Sequence, residues 1–419
     1  MNNRVLRFFF APSSPTTLGF CRLVFFALML WFFGTRDYST WGDLPESMQN
    51  NRIWLFRLLH LPIASTKTLA ILEFIWKATL FTSFIGMFTR VSMLTAAITG
   101  LYIVGVPNNF GKTGHGEGIL IITTFILALS RAGDAWSIDS LRRAYAARDP
   151  HAAKPTSGEY TWPIRMVWLL MSLIFLGAGI TKLRWSGLDW ITTDNLSTTI
   201  LQHYYGVASP PTDLGLWVAQ HKTLCKIIAG MTILIELAFP LAMFSRPARW
   251  TLVPAMFAAQ VGIYLMMGVN FTQFMFVYLF WVPWDRIAAL LSGVAQQRGR
   301  YAMLYDGSCG LCKSVASVVV RLDLLGRIEP MDVLHDWNRV HERFPFLDQQ
   351  KCLTDMHVIL PDGTSVSRFV AYRNLAWAIP AAWIILPLLY IPGVPEIGDR
   401  IYQYVATHRH DAGCEVPNQ

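Results

Sequence analysis

The chain has 419 residues, of which 53% are hydrophobic and only 15% are charged. Because soluble globular domains carry about 25% charged residues, this composition excludes an ordinary soluble protein and indicates an integral membrane protein. The formal net charge of +8 does not indicate nucleic-acid binding, since the basic residues fall in short clusters between apolar runs. The N-terminus lacks the cleavage pattern of a signal peptide, so we expect the first apolar segment to be retained.

About eight apolar segments are predicted to cross the membrane as helices, because a crossing needs about 20 residues. The first follows a helix-start signal, Ser14-Pro15-Thr16-Thr17, and runs to about Gly34. The others are predicted at residues 69–87, 91–107, 117–130, 163–181, 227–244, 250–268 and 271–292. The predicted fold class of this part is therefore a polytopic α-helical membrane bundle of about eight spans.

The distribution of Lys and Arg predicts the orientation of these spans. Cytoplasmic loops of membrane proteins carry an excess of basic residues. With the N-terminus in the cytoplasm, the inside loops hold most of the basic residues, and the loop at 35–68 is the one exception. An even number of spans then returns the chain to the cytoplasm before Tyr301. We therefore predict a multi-pass protein of the cell (inner) membrane, with the N-terminus and the C-terminal module in the cytoplasm.

Several polar motifs interrupt the apolar part of the sequence. They are Ser14–Gly19, His115 with the later run Trp136–Leu141, Gly177–Leu183 with the following Asp189-Trp190, and Ser245–Pro247. In this order the motifs resemble the horizontally transferred transmembrane (HTTM) domain, which is related to the vitamin K-dependent gamma-carboxylases. The resemblance covers roughly residues 10 to 295, and it predicts an HTTM domain at residues 1–295.

This resemblance implies a reaction centre in the membrane. In the carboxylases, a lysine of the glycine-lysine-leucine stretch takes up a proton while a reduced quinone is oxidised, and a histidine belongs to the same site. The resemblance gives these catalytic roles to Lys182 and His115, and it implies a lipid quinone or quinol as cofactor. The residues alone leave an alternative open, since a lysine near the end of a span often extends to the polar interface.

Three further polar residues are candidates for binding a cofactor in this site. Glu236 lies in the middle of a predicted span, where a charge is costly unless it faces the bundle and has a partner. Gln260 stands where the carboxylases carry a further histidine, and an amide cannot exchange a proton as imidazole does. His203 lies just outside a span in an aromatic-rich loop. We therefore predict Glu236, Gln260 and His203 as cofactor-binding residues.

The C-terminal part of the sequence predicts a small α/β module. Strands are predicted at residues 301–305, 327–333 and 356–360, with a short further strand after the turn at Pro361-Asp362-Gly363-Thr364. Helices are predicted at 311–325, 368–378, 381–390 and 396–408. Cys309-Gly310-Leu311-Cys312 then lies where the first strand leads into the first helix.

Cys309 and Cys312 are the strongest chemical signal in the sequence. The dipole and free N–H groups at the start of a helix stabilise a thiolate, which favours redox chemistry. Half of a zinc site is the alternative, but zinc needs two further ligands at recognisable spacing, and no second Cys-x-x-Cys follows. We therefore predict no metal site, although His408, His410 and Cys414 in the C-terminal tail are residue types that bind metals.

The two cysteines belong to a longer pattern that includes Asp306, Asp362-Gly363 and residues 391–394. This pattern resembles the DCC family of thiol-disulfide oxidoreductases, and it predicts such a domain at residues 300–410, followed by a tail at 411–419. The resemblance implies a thioredoxin-like fold in which Cys309 is the nucleophile, Cys312 is the resolving thiol and Asp306 belongs to the catalytic motif.

The predicted function is that of an integral-membrane thiol-disulfide oxidoreductase, of the type that reduces protein disulfides, coupled to a quinone-binding membrane domain. Its expected partners are membrane lipid and a protein or peptide thiol or disulfide, and no nucleic acid. Two alternatives remain open. One is a quinol-dependent carboxylase-like or epoxidase-like enzyme that uses Lys182 and His115, and the other is a non-catalytic membrane maturation or binding factor.

Overall fold

The computed structural model describes residues 4–50, 53–111, 116–153, 155–207 and 210–408. The chain divides into two compact units. The first unit comprises Met1–Ala132 and Thr156–Val282, and the second comprises Gly133–Pro155 and Pro283–Gln419. The second unit therefore takes a segment from the middle of the apolar part as well as the C-terminal module.

The chain before the C-terminal module is built from helices. Those that the structure describes are α1 (Arg4–Phe9), α2 (Pro15–Phe33), α3 (Trp54–Leu58), α4 (Thr66–Ile85), α5 (Thr89–Gly105), α6 (Gly116–Ala128), α7 (Ile138–Ala147), α8 (Trp162–Ser186), α9 (Asp189–Thr192), α10 (Asn195–Gln202), α11 (Leu214–Gln220), α12 (Lys222–Ala238), α13 (Leu241–Phe244), α14 (Arg246–Met267), α15 (Thr272–Tyr278) and α16 (Trp284–Gln297). Short 3-10 turns lie at Ser39–Asp43, Glu46–Met48, Pro107–Asn109, Ala132–Asp134, Gly158–Tyr160 and Leu279–Trp281. A π-helical turn follows α10 at His203–Val207.

Five helical segments among the described residues are long and apolar enough to cross a membrane. They are Pro15–Phe33, Thr66–Ile85, Thr89–Asn109, Gly158–Ser186 and Arg246–Met267. A sixth results only if Thr272–Trp281 and Trp284–Gln297 count as one broken span. These helices are compatible with a membrane protein, but the predicted count of eight spans is not confirmed.

Three of the predicted spans are short or broken in the structure. The segment predicted at 117–130 forms α6, whose 13 residues fall short of the about 20 that a crossing needs. The segment predicted at 227–244 is divided between α12 and α13 at Pro240, because proline cannot donate the hydrogen bond that continues a helix. Pro283 divides the segment predicted at 271–292 in the same way. Apolar composition alone thus overestimates the number of continuous spans.

Helix α2 begins as the sequence predicts and carries a buried charge. The Ser14 hydroxyl accepts a hydrogen bond from the backbone N–H of Thr16, and Pro15 occupies the first helical position. Further along the helix, the Arg22 side chain is completely buried. It donates hydrogen bonds to three backbone carbonyls of the first unit. These bonds offset the cost of removing the guanidinium from water.

The C-terminal module contains a four-stranded mixed sheet of β1 (Tyr301–Tyr305), β2 (Ile328–Asp332), β3 (His357–Ile359) and β4 (Ser365–Ser367). The strand order is β2-β1-β3-β4. β1 is parallel to β2 and antiparallel to β3, and β3 is antiparallel to β4. The register pairs Met303 of β1 with Pro330 on one side and Val358 on the other. The predicted strands are present, and β1 has the predicted bounds.

The described helices of this module are α17 (Gly310–Leu322), α18 (Trp337–Arg343), α19 (Gln349–Thr354), α20 (Arg368–Ala378) and α21 (Val394–Thr407). The sequence predicts α17, α20 and α21 but misses the short helices α18 and α19. The helix predicted at 381–390 is wrong, because the chain there forms 3-10 turns at Pro380–Ala382 and Leu386–Tyr390. Pro380 and Pro387 prevent continuous α-helical hydrogen bonding in this stretch.

Side chains on both faces of β1 are buried, so the strand lies inside the module. Met303 packs in one hydrophobic cluster with Val358 and Leu375. Leu304 packs in a second cluster with Val333 and Cys352. Because neighbouring residues of a strand point to opposite faces, these clusters are the two apolar layers that cover the sheet.

The segment between α6 and α8 contributes α7 to the second unit. The Ser137 hydroxyl caps this helix by accepting a hydrogen bond from the N–H of Ser140 at 2.9 Å. α7 packs against α17, the helix that begins at the dithiol motif. The sequence predicts only a basic loop between the spans at 117–130 and 163–181, so this contact is a finding of the structure.

Candidate active site

Cys309 lies at the junction between β1 and α17, as the sequence predicts. It occupies the N-cap position of α17 with an extended backbone (φ −83°, ψ 117°). Its Sγ accepts a hydrogen bond from the backbone N–H of Cys312, with a sulfur–nitrogen distance of 3.4 Å. The side chain is completely buried. The N–H donor and the positive end of the helix dipole both stabilise negative charge on this sulfur in its reduced state.

The two cysteines of the motif are not bonded to each other in this structure. Cys309 is disulfide-bonded, whereas Cys312 is not. Cys312 is half-buried and lines a cavity.

Asp306 precedes the two cysteines and is buried, with 3% of its surface exposed. Its Oδ1 accepts hydrogen bonds from the backbone N–H of Ser308 at 2.8 Å and from the Ser308 hydroxyl at 2.7 Å. Its Oδ2 has no hydrogen-bond partner among the described residues. Oδ2 can therefore accept a further hydrogen bond beside the motif.

A cavity of about 110 Å³ lies beside Cys312. Its wall is largely apolar, and its polar groups include Asp306, Tyr305, Tyr372 and Cys352. The last turns of α21 form part of the wall. An apolar side chain of a bound molecule therefore fits in this cavity next to Cys312, and the polar groups can orient it.

Burial changes the acidity of groups that line this cavity. Burial and nearby aspartates raise the pKa of Tyr305 to about 12. Burial, with a smaller effect of Asp348, raises the pKa of Cys352 to about 11. Burial also raises the pKa of Tyr372. At neutral pH the tyrosines therefore remain hydrogen-bond donors and Cys352 remains a thiol, which leaves thiolate chemistry to the Cys309–Cys312 motif.

The segment between α6 and α8 supplies two residues that the sequence analysis misses. Arg148 lies so close to Gly310 that a Cβ there would be 3.0 Å from its Nη1. His151 Nε2 is 3.3 Å from the hydroxyl of Tyr305. Arg148 ends α7 in the left-handed conformation, with φ 54°. No local sequence signal links this Arg-Asp-Pro-His stretch to a motif more than 150 residues away, and only the packing of α7 on α17 reveals it.

In the first unit, the structure brings together two of the predicted site residues. Lys182 of α8 forms an ion pair and hydrogen bond with Oε1 of Glu236 on α12. The Lys182 ammonium also lies 5.6 Å from the centre of the Trp190 ring. Oε2 of Glu236 has no hydrogen-bond partner among the described residues. Opposite charges that are removed from water attract each other, so the pair joins α8 to α12 inside the first unit.

The other predicted residues of the membrane part do not join this pair by any contact that the structure describes. Gln260 is buried, and its Oε1 has no partner among the described residues. His203 Nδ1 is 3.0 Å from the carbonyl of Thr199 in α10. His115 lies outside the described residues. Of the residues predicted to form this site, the described part of the structure therefore brings together only Lys182 and Glu236.

A wider, open cavity of about 630 Å³ also lies in the first unit. Arg36 and Glu117 line it, with 3.7 Å between Nη1 and Oε1. The aromatic residues Tyr38, Trp41 and Phe110 complete much of its wall. The cavity combines opposite charges with flat apolar surface, which suits a ligand with both polar and aromatic parts.

Among the described residues, no three His, Cys, Asp or Glu side chains gather in the way that metal ligands would. His408 is the last described residue of the tail, and His410 and Cys414 lie outside the described part.

Residues 303–415 match the family model described as DCC1-like thiol-disulfide oxidoreductase. We call this part of the chain the DCC1-like domain. The match confirms the family predicted from Asp306, Cys309 and Cys312. No match was found among curated proteins or among solved structures. The resemblance of residues 1–295 to an HTTM domain stays a prediction.

Proposed function

We propose that this protein is a membrane-anchored thiol-disulfide oxidoreductase whose reactive group is Cys309 of the DCC1-like domain. The observation that carries the proposal is the N-cap position of Cys309, where its Sγ accepts the N–H of Cys312 at 3.4 Å. This position stabilises a thiolate, which is the attacking form in thiol–disulfide exchange. The family match of residues 303–415 supports the same chemistry.

The reaction starts from the reduced motif. Asp306 takes the proton of the Cys309 thiol, and the thiolate attacks one sulfur of a substrate disulfide. A bond forms between Cys309 and that sulfur, the substrate S–S bond breaks, and the second substrate sulfur leaves as a thiolate and takes up a proton. A second thiol of the protein, Cys312 in the DCC-type scheme, then attacks Cys309 and releases the bound half. Two electrons pass to the substrate, which becomes two thiols, and the protein gains a disulfide.

The substrate that fits this site best is a protein or peptide disulfide. The apolar cavity beside Cys312 would accept a side chain next to the substrate disulfide, with Tyr305 and Tyr372 as donors along its wall. The strand order β2-β1-β3-β4, with the thiols after β1, is in keeping with the thioredoxin-like fold that the resemblance implies.

We place this reaction in the cytoplasm, at the cell (inner) membrane. Five apolar helices are compatible with a membrane location, and the basic loops favour a cytoplasmic C-terminal module. Cytoplasmic conditions keep thiols reduced, so the protein would act as a reductase rather than an oxidase. Membrane lipid is the partner of the apolar helices.

Reduction of a small disulfide-bonded peptide by the full-length protein in lipid nanodiscs tests this function. Starting from the reduced protein, Cys309→Ser should reduce the peptide at least about 100-fold more slowly than the wild type, because serine cannot form the mixed disulfide. Cys225→Ala is the matched control, since this buried cysteine lies in the first unit, and its rate should equal the wild-type rate. A Cys309→Ser protein as active as the control would refute the proposal.

A second candidate function rests on the Lys182–Glu236 pair. An ion pair inside a bundle of apolar helices is uncommon and often marks a site of proton transfer. In this proposal Lys182 is the base of a quinol-dependent modifying reaction, Glu236 receives or returns the proton, and a lipid quinone is the cofactor. Gln260, His203 and His115 would line the cofactor. The coupled form of the proposal passes electrons from the dithiol to this quinone.

Thiol-dependent reduction of a short-chain quinone distinguishes the coupled form from the quinol-dependent enzyme alone. If the two centres are coupled, reduced wild-type protein reduces the quinone, and both Cys309→Ser and Lys182→Met abolish that activity. If only the quinol-dependent enzyme exists, Lys182→Met removes function while Cys309→Ser does not. Function that survives both changes would favour a non-catalytic membrane factor, and absence of quinone reduction in the wild type refutes the coupling.

A further inference from the structure

The DCC1-like domain exposes a long apolar stretch near its C-terminal end. No charged residue occurs between Arg373 and Glu396 in the sequence. We call residues 377–392 the proline-rich segment, after Pro380, Pro387 and Pro392. Its exposed large side chains include Trp377, Trp383, Ile384, Leu388, Tyr390 and Ile391. Ile384 is the most open of them, with 86% of its surface exposed. A contiguous apolar surface of this kind marks contact with a partner or a membrane.

Helix α21, which follows the segment, extends this apolar surface. Ile397, Ile401 and Tyr404 are exposed, and their spacing of four and three residues places them in one row along the helix. The helix packs against the 3-10 turn Leu386–Tyr390 of the proline-rich segment. An amphipathic helix whose apolar row points away from its own domain is typical of helices that lie in a membrane interface.

The backbone of the proline-rich segment is hydrogen-bonded within the segment and its immediate neighbours. N–H groups along it donate to carbonyls three residues earlier, as at Trp383, Ile385 and Leu388. The prolines have no N–H that needs a partner. Lipid offers the backbone no hydrogen-bond partners, so a segment that enters it must satisfy its polar groups internally. The turns of this segment meet that requirement at these positions without forming a regular helix.

Both indole N–H groups of the segment are also bonded inside it. Trp377 Nε1 donates to the Tyr390 hydroxyl at 2.8 Å, and Trp383 Nε1 donates to the carbonyl of Trp377 at 3.2 Å. A protein partner would need free polar groups, because protein interfaces contain about one hydrogen bond per 100–200 Å². An uncharged surface of Trp, Tyr and aliphatic side chains fits the boundary between lipid headgroups and acyl chains better.

We propose that the proline-rich segment and the apolar row of α21 insert into the membrane interface, so that the bilayer itself covers this face. Lipid is the occupant that the chain makes available, since five of its helical segments are long and apolar enough to cross a membrane. The insertion is shallow, because 3-10 turns divided by prolines do not form a continuous span. The inference does not depend on the reaction proposed for Cys309.

The inserted face shares two elements with the candidate active site. Tyr372 of α20 and Tyr402 of α21 line the cavity beside Cys312. The Arg373 guanidinium of α20 also lies 4.5 Å from the centre of the Tyr390 ring, at the edge of the apolar face. The helices that wall the cavity are therefore the ones that border the lipid.

Photolabelling of the full-length protein in nanodiscs tests this inference. The nanodiscs contain phosphatidylglycerol and a phosphatidylcholine that carries a diazirine in its acyl chain. After irradiation the protein is digested, and the labelled peptides are mapped by mass spectrometry. Residues 377–392 should carry at least about tenfold more label than the peptide around Phe346, because inserted apolar side chains contact acyl chains. Phe346 is a suitable reference, since it belongs to the same domain and 61% of its surface is exposed.

Two matched variants sharpen the test. Ile384→Asp should lower the labelling of residues 377–392 by at least about fivefold, because a charge is costly in an apolar environment. Phe346→Asp should leave that labelling unchanged. Both side chains are exposed, so neither change removes core packing, and the wild-type pattern needs no variant.

Labelling of residues 377–392 no stronger than that of the Phe346 peptide would overturn the inference. Hydroxyl-radical oxidation of the same nanodiscs then shows what the face contacts instead. A weakly labelled segment that is protected from oxidation is covered by protein, such as a second copy of the chain, and one that is oxidised faces water. Either result rejects the bilayer as the occupant and leaves the reaction at Cys309 to its own test.

Discussion

The reactivity of Cys309 depends on a few charged and polar groups around one helix N-terminus. The backbone N–H of Cys312 and the helix dipole favour its thiolate, and the Arg148 guanidinium lies against the neighbouring Gly310. The helix N-terminus and the Arg148 cation therefore both favour the thiolate form of Cys309 in the reduced protein.

Removal of the Arg148 charge should make reduced Cys309 less reactive near neutral pH. In Arg148→Ala, the midpoint of the pH profile for alkylation of Cys309 should move upward by roughly 0.5 to 1 pH unit, because a nearby cation favours the thiolate. Arg148→Lys should restore part of the effect, and Arg142→Ala on the same helix should leave the profile unchanged. Iodoacetamide kinetics followed by mass spectrometry give the profile, and an unaltered midpoint in Arg148→Ala would exclude this role.

The buried thiol of Cys352 should make the stability of the DCC1-like domain sensitive to alkaline pH. Burial raises its pKa from 9.0 to about 11, so the folded state favours the neutral thiol. This contribution to stability is complete below pH 9 and is lost as the pH rises through 11. At pH 10 the loss amounts to about 1 kcal/mol.

Thermal unfolding at pH 8 and pH 10 measures this effect. The wild type should lose more stability between these two pH values than Cys352→Ala does, although the variant starts lower because it also loses packing. An equal loss in both proteins would show that the Cys352 thiol does not titrate as its burial implies.

At the scale of elements, the turn between β1 and α17 lies against a side chain from the end of β2. A Cβ on Gly307 would lie 1.9 Å from Oδ2 of Asp332. The Asp332 carboxylate accepts hydrogen bonds from the N–H groups of Leu334 and His335. A side chain at position 307 would displace this carboxylate, so the packing favours glycine there.

Gly307→Ala should destabilise the DCC1-like domain by about 1 to 3 kcal/mol, because the Asp332 carboxylate must move and lose hydrogen bonds. Gly293→Ala is the matched control, since no atom lies within 4 Å of a Cβ there. That change should be neutral or stabilising by up to about 1 kcal/mol in the middle of α16. Chemical unfolding provides both values, and a Gly307→Ala protein as stable as the wild type would contradict the described turn.

The elements that the sequence predicts well are those with strong local signals. β1 is a short apolar run, α17 begins at a side-chain cap, and α20 lies between a strand and Pro380, so each can be located from a few neighbours. The helices α18 and α19 have only one or two turns each, so their hydrophobic periodicity is too short to recognise in the sequence. The contact of α7 with α17 joins residues far apart in the chain, and no local signal can predict it.

At the scale of the whole molecule, the apolar composition is compatible with a membrane protein but overestimates the number of continuous spans. The apolar runs are visible in the sequence, but Pro240 and Pro283 divide two of them into shorter helices. The Lys182–Glu236 ion pair is also beyond local sequence patterns. The sequence shows a charged residue in each of two apolar helices, but it does not show that the two side chains meet.

Breaking the Lys182–Glu236 pair should destabilise the helical part of the protein. Lys182→Met or Glu236→Gln alone should cost about 3 kcal/mol, because each leaves a charge without its partner in an apolar environment. The double variant should cost less than the sum of the two. Lys222→Met, which removes an exposed ion pair with Asp194, should leave the stability nearly unchanged, because water screens exposed charges. Unfolding of the purified protein in detergent measures all four, and additive single effects would contradict the pairing.

The most direct test of the account is to identify which sulfur first forms a bond with a substrate. Reduced full-length protein is mixed with a disulfide-bonded peptide, quenched with acid within milliseconds, and mapped by mass spectrometry. The account predicts that the peptide is attached to Cys309 at the earliest times, before any adduct on Cys312 or Cys352. A first adduct on Cys312, or no adduct on Cys309 at any time, would contradict it.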